Sequence, residues 1–114
     1  MKEKSVEETI PFGEFKRLRF KVGLVKEVQN HPNADKLFVI RVDLGDEERQ
    51  LVAGLKGYYG AEEMVGKKVV VVTNLEAARL RGVESRGMLL AAQSGSVVSL
   101  LTVDKDVPAG SEIL

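Results

Sequence analysis

Hydrophobic and polar positions alternate along most of this chain, and a period of two marks strands. From Phe20 onward, Phe20, Val22 and Leu24 fall on one face and Lys21, Gly23 and Val25 on the other, with the pattern continuing to Val28. Leu37–Leu44 (LFVIRVDL) alternates again, Gly45 and Asp46 open a polar turn, and Arg49–Ala53 (RQLVA) follows; the two segments predict a hairpin. Lys67–Thr73 (KKVVVVT) holds four consecutive valines, as expected of a strand covered on both faces. Gly87–Gln93 (GMLLAAQ) and Val97–Val103 (VVSLLTV) predict two more strands joined by Ser94, Gly95 and Ser96. One interval departs from alternation: Ala61–Val65 suits one or two helical turns, with Gly66 as the C-terminal cap.

The two ends read differently. Residues 1–8 carry no apolar period, whereas Ile10, Phe12, Phe15, Leu18 and Phe20 crowd around Pro11 and Gly13, predicting a short helix or turn packed onto the body. The tail from Asp104 has a turn at Pro108–Gly110 before Ile113 and Leu114. The sum is an all-β chain of five or six strands with one short helix between the third and fourth. Closing such a sheet into a barrel removes its exposed edges and lets the helix plug one end, the order expected of a five-stranded OB-fold. A small β-sandwich fits the pattern equally well. A length of 114 residues suits one domain, divided here into an N-terminal extension, 1–19, and a barrel with a C-terminal extension, 20–114.

Composition narrows the function classes. No apolar run approaches the ~20 residues that span a bilayer, and the opening MKEKSVEETI alternates charges where a secretory signal needs an apolar stretch, so the expected location is cytoplasmic. The absence of cysteine removes disulfides, thiolate metal sites and a cysteine nucleophile. His31 is the single imidazole, so neither a metal nor a cofactor is expected. Pairing Ser85 with His31 as nucleophile and base finds no GxSxG elbow and no separate acid. GLKGYYG has glycines without the strand-to-helix context or the lysine of a phosphate loop. The reading is a binding module, not an enzyme.

A net charge of zero argues at first against a nucleic-acid partner. The charges are sorted, however: Lys16, Arg17, Arg19, Lys21 and Lys26 follow one another without an acid, while acids gather at Glu7–Glu8, Asp46–Glu48 and Glu62–Glu63. Asn74–Met88 (NLEAARLRGVESRGM) links two strands through Arg79, Arg81, Ser85 and Arg86, and Asn30–Leu37 (NHPNADKL) presents Asn33, Asp35 and Lys36. Arg79 and Arg81, two apart, would point to one side of an extended loop, and guanidinium groups grip phosphate through paired donors where Lys36 supplies a mobile point charge. Against these stands the plainer reading of solvated surface charges. Ser85 fits a turn hydroxyl bonding its own backbone as well as a ligand contact, and Asn33 and Asp35 suit the turn after Pro32. Met88 by itself reads as core, and Gly82 and Gly87 supply backbone shapes closed to other residues. Aromatic rings are few; the phenylalanines alternate like core positions, leaving Tyr58 and Tyr59 as exposed rings. Such a module favours folded RNA read by shape over single strands read by stacking.

The segments VGLVKEVQNHPNADKLFVIRVDLGDEERQLVAGL, KGYYGAEEMVGKKVVVVTNL and RGVESRGMLLAA resemble, over about Phe20 to Val107, the tRNA-binding domain family. That family includes a free-standing dimeric tRNA-binding protein, the C-terminal module of many bacterial methionyl-tRNA synthetases and the cytokine-like cofactor of eukaryotic synthetase complexes. The resemblance implies an OB-fold that binds tRNA by shape, with no catalysis and no cofactor. Ser85 and Met88 match the family's serine and methionine near the tRNA surface, Asn33 and Lys36 match in the first loop, and Asn74 and Arg81 in the second. With Arg79 and Arg86 these complete the candidate tRNA-binding set. The resemblance also implies a homodimer formed through the chain ends, and an aminoacyl-tRNA synthetase, methionyl type foremost, as a partner. Glu76-Ala77 stands where relatives often carry Lys-Pro, exchanging a positive charge for a negative one, and Arg86 replaces a residue that is often small or acidic. A related branch acts as a chaperone-like dimer that binds proteins; it departs from the HPNADKL and RGxxSxGM patterns kept here, which places that alternative second.

Overall fold

The computed structural model describes residues 7–114, so most of the unpatterned lead over 1–8 lies outside the described residues. The sheet is organised by one long strand, β1 (Phe20–Asn30), which serves two walls. Its first half pairs antiparallel with β4 (Lys68–Val72), from Phe20 opposite Val72 to Leu24 opposite Lys68. Its second half pairs with β2 (Phe38–Asp43), from Leu24 opposite Asp43 to Asn30 opposite Phe38. The register shifts between Val25 and Glu27; an extra residue there bends the strand and increases its twist, which lets one strand turn the corner. β2 and β3 (Glu48–Ala53) form the predicted hairpin.

The helix α2 (Ala61–Met64) lies between β3 and β4 in the chain and delivers the fully buried Met64 to the core beside Leu55. Gly66, at φ 91°, then turns the chain into β4. The main sheet runs β3-β2-β1-β4-β7, with β7 (Met88–Leu89) on β4 and β10 (Glu112–Ile113) on the start of β1. Two bonds bring its ends together: the Val52 N–H donates to Ser85 Oγ at 2.9 Å, and the Arg86 N–H to the Gln50 carbonyl at 2.9 Å. The result is an all-β, five-stranded OB-type barrel with a helix at one end, and the sandwich alternative drops out. Alternate residues of β1, β2 and β4 (Val25, Phe38, Ile40, Val42, Val69 and Val71) fill the interior with Leu51 of β3.

Three expectations need correction. Gly87–Gln93 is not one strand: the Leu90 N–H bonds to Val70, the Leu90 carbonyl accepts from Leu101, and the chain leaves the barrel as a separate hairpin, β8 (Ala91–Ser94) with β9 (Val97–Leu100). Leu100 is the buried residue of that hairpin, and β9 ends there, short of Val103. The segment from Ile10 does form a helical turn, α1 (Phe12–Phe15), but it buries none of its residues. Phe12 is 72% exposed, because what holds this segment is hydrogen bonding after the turn, not apolar packing of the turn itself. Lastly, Ala78–Ser85 is not a loop but a further hairpin, described below.

The fold generates two predictions. Gly87 sits at φ 143°, and a Cβ there would lie 2.9 Å from Leu51 Cδ2 and 3.0 Å from the Val72 carbonyl oxygen. Gly87→Ala is therefore expected to destabilise by about 1–3 kcal/mol, the usual cost of overpacking, read from chemical unfolding. The second concerns the C-terminal tail, which Lys68 ties down by bonding the Asp106 carboxylate and the Val107 carbonyl. That hydrogen bond first, and the ammonium charge next, hold the Asp106 pKa below its ordinary value. A depressed carboxylate contributes its anchoring above the ordinary value and loses it as pH falls through the lowered one. Carboxyl-carbon NMR is expected to show Asp106 titrating low, and Lys68→Met to return it to the usual range.

Candidate nucleic-acid interface

β5 (Ala78–Leu80) and β6 (Val83–Ser85) pair antiparallel, with Leu80 directly opposite Val83. That leaves Arg81 and Gly82 as a two-residue turn, at φ 53° and 91°. Both central residues being left-handed is the geometry whose twist matches the flanking strands. Arg79 and Arg81 consequently do not share one side of an extended loop: Arg79 stands on a strand opposite Glu84, and Arg81 caps the turn.

The hairpin tip is fastened to the Asn30–Leu37 loop. His31, 6% exposed, accepts the Asn33 N–H at Nδ1 over 2.9 Å and has Nε2 2.8 Å from the Leu80 carbonyl. A carbonyl only accepts, so the proton resides on Nε2 and the ring is the neutral Nε2–H tautomer. Asn33 Nδ2 donates to the Arg81 carbonyl at 3.2 Å, and an Arg81 guanidinium nitrogen lies 3.4 Å from the Asn33 carbonyl. The two polar segments of the sequence thus meet as one surface, with Asn33 and Arg81 in direct contact. Lys36 and Arg79 are exposed, and neither makes an ion pair among the described residues. Arg79 steadies the turn by donating to the Gly82 carbonyl at 3.3 Å.

The root of the hairpin gathers the remaining candidates. Ser85 is buried; its hydroxyl accepts the Val52 N–H and donates to the Gly87 carbonyl at 3.2 Å, so its one donor hydrogen and one of its acceptor lone pairs are spent inside the protein. Asn74 is exposed, yet its amide is equally committed: Oδ1 accepts the Arg19 N–H at 2.8 Å and Nδ2 donates to the Arg17 carbonyl at 2.6 Å. These two side chains build the surface. Arg86 and Met88 are what it shows to solvent, Met88 being 48% exposed on β7 opposite Val72, where core packing would have hidden it.

Two residues here escape sequence reasoning. Arg49, within strand β3, grips both Glu47 oxygens at 3.0 and 3.3 Å and also donates to the carbonyls of Thr73 and Arg86. Its hydrogen bond is the largest cause of a lowered Glu47 pKa; desolvation opposes it next, and the charges of Arg49, Arg86 and Lys21 follow in the same direction as the bond. Gln50 ties β6 to β3 by donating to the Glu84 carbonyl at 2.8 Å. A charged residue in a strand was the available signal for Arg49; nothing in the pattern distinguished Gln50.

The aromatic supply also differs from expectation. Tyr58 is exposed, but Tyr59 packs on the core and its hydroxyl accepts the Leu100 N–H, whereas Phe12 and Phe15 are exposed. The chemistry available is hydrogen-bond donation and positive charge. Ser85 and His31 have all their polar atoms engaged elsewhere, so they form no nucleophile and base. Among the described residues no group of three metal-ligating side chains occurs, and no helix is long and apolar enough to cross a membrane.

Comparison with known proteins places this geometry. The methionine–tRNA ligase of Thermococcus kodakarensis is 56% identical over 112 residues, which is 98% of this chain and 15% of that ligase. The chain spans 14–16% of the length of such curated relatives. Among solved structures, the MetRS related protein from Pyrococcus horikoshii superposes with a TM-score of 0.88 at 38% identity, covering 95% of this chain and 100% of its own. The CsaA chaperone protein from Picrophilus torridus follows at 0.86 and 27% identity, covering 93% and 100%. Residues 20–112, the barrel with its inserted hairpin, match the family model described as "Putative tRNA binding domain". The chain belongs to the tRNA-binding domain family.

Proposed function

We propose that this chain is a non-catalytic protein that binds tRNA by its folded shape, cytoplasmic, and acting free-standing or in trans with an aminoacyl-tRNA synthetase of the methionyl type. The observation carrying this reading is the fastening of the β5–β6 tip to the Asn30–Leu37 loop through His31, Asn33 and Arg81. It holds Arg79, Arg81 and Lys36 on a framework set before any ligand arrives. A surface set in advance spends little binding free energy on ordering itself and selects an RNA whose phosphates already match it. The scarcity of exposed rings favours a folded RNA in the same direction. The 56% identity to a methionine–tRNA ligase supports the synthetase connection.

The direct test titrates folded tRNA against an unstructured RNA of equal length at two salt concentrations. Preference for folded tRNA, weakening as salt rises, is the expected result; equal weak binding to both would reject shape recognition. For Arg81 the informative variant is Arg81→Asn, since asparagine tolerates the left-handed turn and removes the charge. Its salt slope is expected to become shallower by about 0.7–0.9, the share of a single neutralised phosphate. An unchanged slope would mean that Arg81 touches no phosphate.

The reading includes a homodimer formed through the chain ends. Ile10, Phe12, Phe15, Leu18 and Leu114 are exposed apolar residues, and Phe15, Leu18, Phe20 and Ile113 line a groove of about 190 Å³ between the N-terminal segment and β10. Sedimentation at micromolar concentration is expected to give a dimer, and Phe12→Ser a shift toward monomer; a monomeric parent would refute it. The likeness to the Picrophilus torridus CsaA chaperone supports a second reading, a chaperone-like dimer that binds protein. Binding of an unfolded polypeptide with no response to tRNA would favour it.

A further inference from the structure

Thr73 and Asn74, at the end of β4, join four separate stretches of chain. The Thr73 N–H donates to the Arg19 carbonyl at 2.9 Å, and Arg49 donates to the carbonyls of Thr73 and Arg86. Asn74 holds the backbone on both sides of Leu18 by bonding Arg17 and Arg19. Five basic residues border this strand end: Arg17 and Arg19 from the N-terminal segment, Lys21 from the start of β1 opposite Val71 of β4, Arg49 from β3, and Arg86 from the root of the hairpin. Glu47 neutralises Arg49, and Glu112 lies 3.3 Å from Arg19 in a pair with both side chains more than half exposed, a contact worth little. Arg17, Lys21 and Arg86 have no ion-pair partner among the described residues.

We propose that this cluster is a second phosphate-binding site, taking the sugar–phosphate backbone of the same RNA that meets the hairpin tip, and that Asn74 is the residue positioning it. The proposal rests on the tRNA-binding reading above and extends it to residues outside the Asn33–Arg81 surface. One RNA suffices because the two sites lie at opposite ends of one hairpin strand. Arg81 and Arg86 are five residues apart, at most about 17 Å of extended chain. Arg17 and Arg86 are exposed and Lys21 is partly so, and no stacking ring is needed for a contact that carries charge alone. Glu47, whose pKa is lowered chiefly by the Arg49 hydrogen bond against desolvation, also feels the charges of Arg86 and Lys21, which places both cations within electrostatic reach of it.

The test measures folded-tRNA affinity against salt for the parent, for Arg17→Gln with Lys21→Gln, and for Asn74→Ala in each of those two backgrounds. Neutralising both cations is expected to make the salt slope shallower by about 1.4–1.8, two phosphates at about 0.7–0.9 each. Asn74→Ala, which removes no charge, is expected to weaken binding in the parent and to cost little once Arg17 and Lys21 are neutral. An unchanged slope in the double variant, with the parent binding folded tRNA, overturns the second site. An equal loss of affinity from Asn74→Ala in both backgrounds overturns its positioning role. Should Asn74→Ala fail to fold by thermal unfolding, Asn74→Ser, which keeps a small polar side chain and adds no charge, carries the same comparison. A parent that binds no tRNA fails the underlying reading as well, and is thereby told apart from failure of this site alone.

Discussion

A curved sheet must hide its two edges, and here the covering of β3 is the constraint on which both the barrel and its surface depend. The Val52 N–H points toward the gap between β3 and the strands that follow β4, where an unsatisfied donor would cost on the order of 1–3 kcal/mol. Ser85 fills the gap with one hydroxyl that accepts from Val52 and donates to Gly87. Arg86 extends the closure through its backbone to Gln50. Gly87 permits the close approach, because a side chain at that position would enter Leu51 and the Val72 carbonyl. The Ser85–Gly87 run therefore couples two functions: it shuts the core and fixes where the hairpin leaves the barrel.

From that root the hairpin projects toward the β1–β2 loop, and His31 makes the second join. An imidazole suits this position because its two nitrogens take opposite roles: one accepts an N–H from its own loop, and the other donates to a carbonyl of the hairpin. The bonds hold a basic turn at its base and tip, leaving few internal motions for a ligand to arrest. Under the tRNA-binding reading proposed above, preorganisation of this kind would let a surface with few aromatic rings select its ligand by where its charges are held.

Much of the barrel was legible in the sequence because its elements are long and strongly periodic. β1, the β2–β3 hairpin, β4 and the short α2 follow directly from alternation, the valine run and a break in period. The β5–β6 hairpin was not legible, for a physical reason: a two-residue turn with both residues left-handed is normally signalled by Asn-Gly or Asp-Gly, and here its first residue is Arg81. Tertiary bonds to Asn33 hold Arg81 in a conformation its own preference disfavours. The phenylalanines of the N-terminal segment misled for a complementary reason, since hydrophobicity reports a tendency toward burial without saying what supplies the cover. The candidate residues were found as types and as two loops, but their division of labour was not. Asn74 and Ser85 look like contacts in one dimension, and only the structure shows that both also bond distant backbone.

Charge shows the same distinction between composition and placement. A chain with equal numbers of acids and bases has no net attraction for phosphate at long range. What matters at contact is which cations are left unpaired and how they are spaced. Arg41 is held by Glu27 and Glu48 on the β1–β2–β3 face, and Lys68 by Asp106 under the tail, so those cations are largely neutralised where they stand. Lys36, Arg79 and Arg81 at the tip, and Arg17, Lys21 and Arg86 at the root, have no such partners among the described residues. Unpaired cations also stand elsewhere among the described residues, at Lys16, Lys26, Lys56, Lys67 and Lys105, so what distinguishes the hairpin is that Arg79, Arg81 and Arg86 lie together on one short segment whose tip and root are both tied to the barrel. Salt screens the field of these cations most at separations beyond about a Debye length, and under the tRNA-binding reading proposed above a folded RNA would bring several phosphates within that range at once.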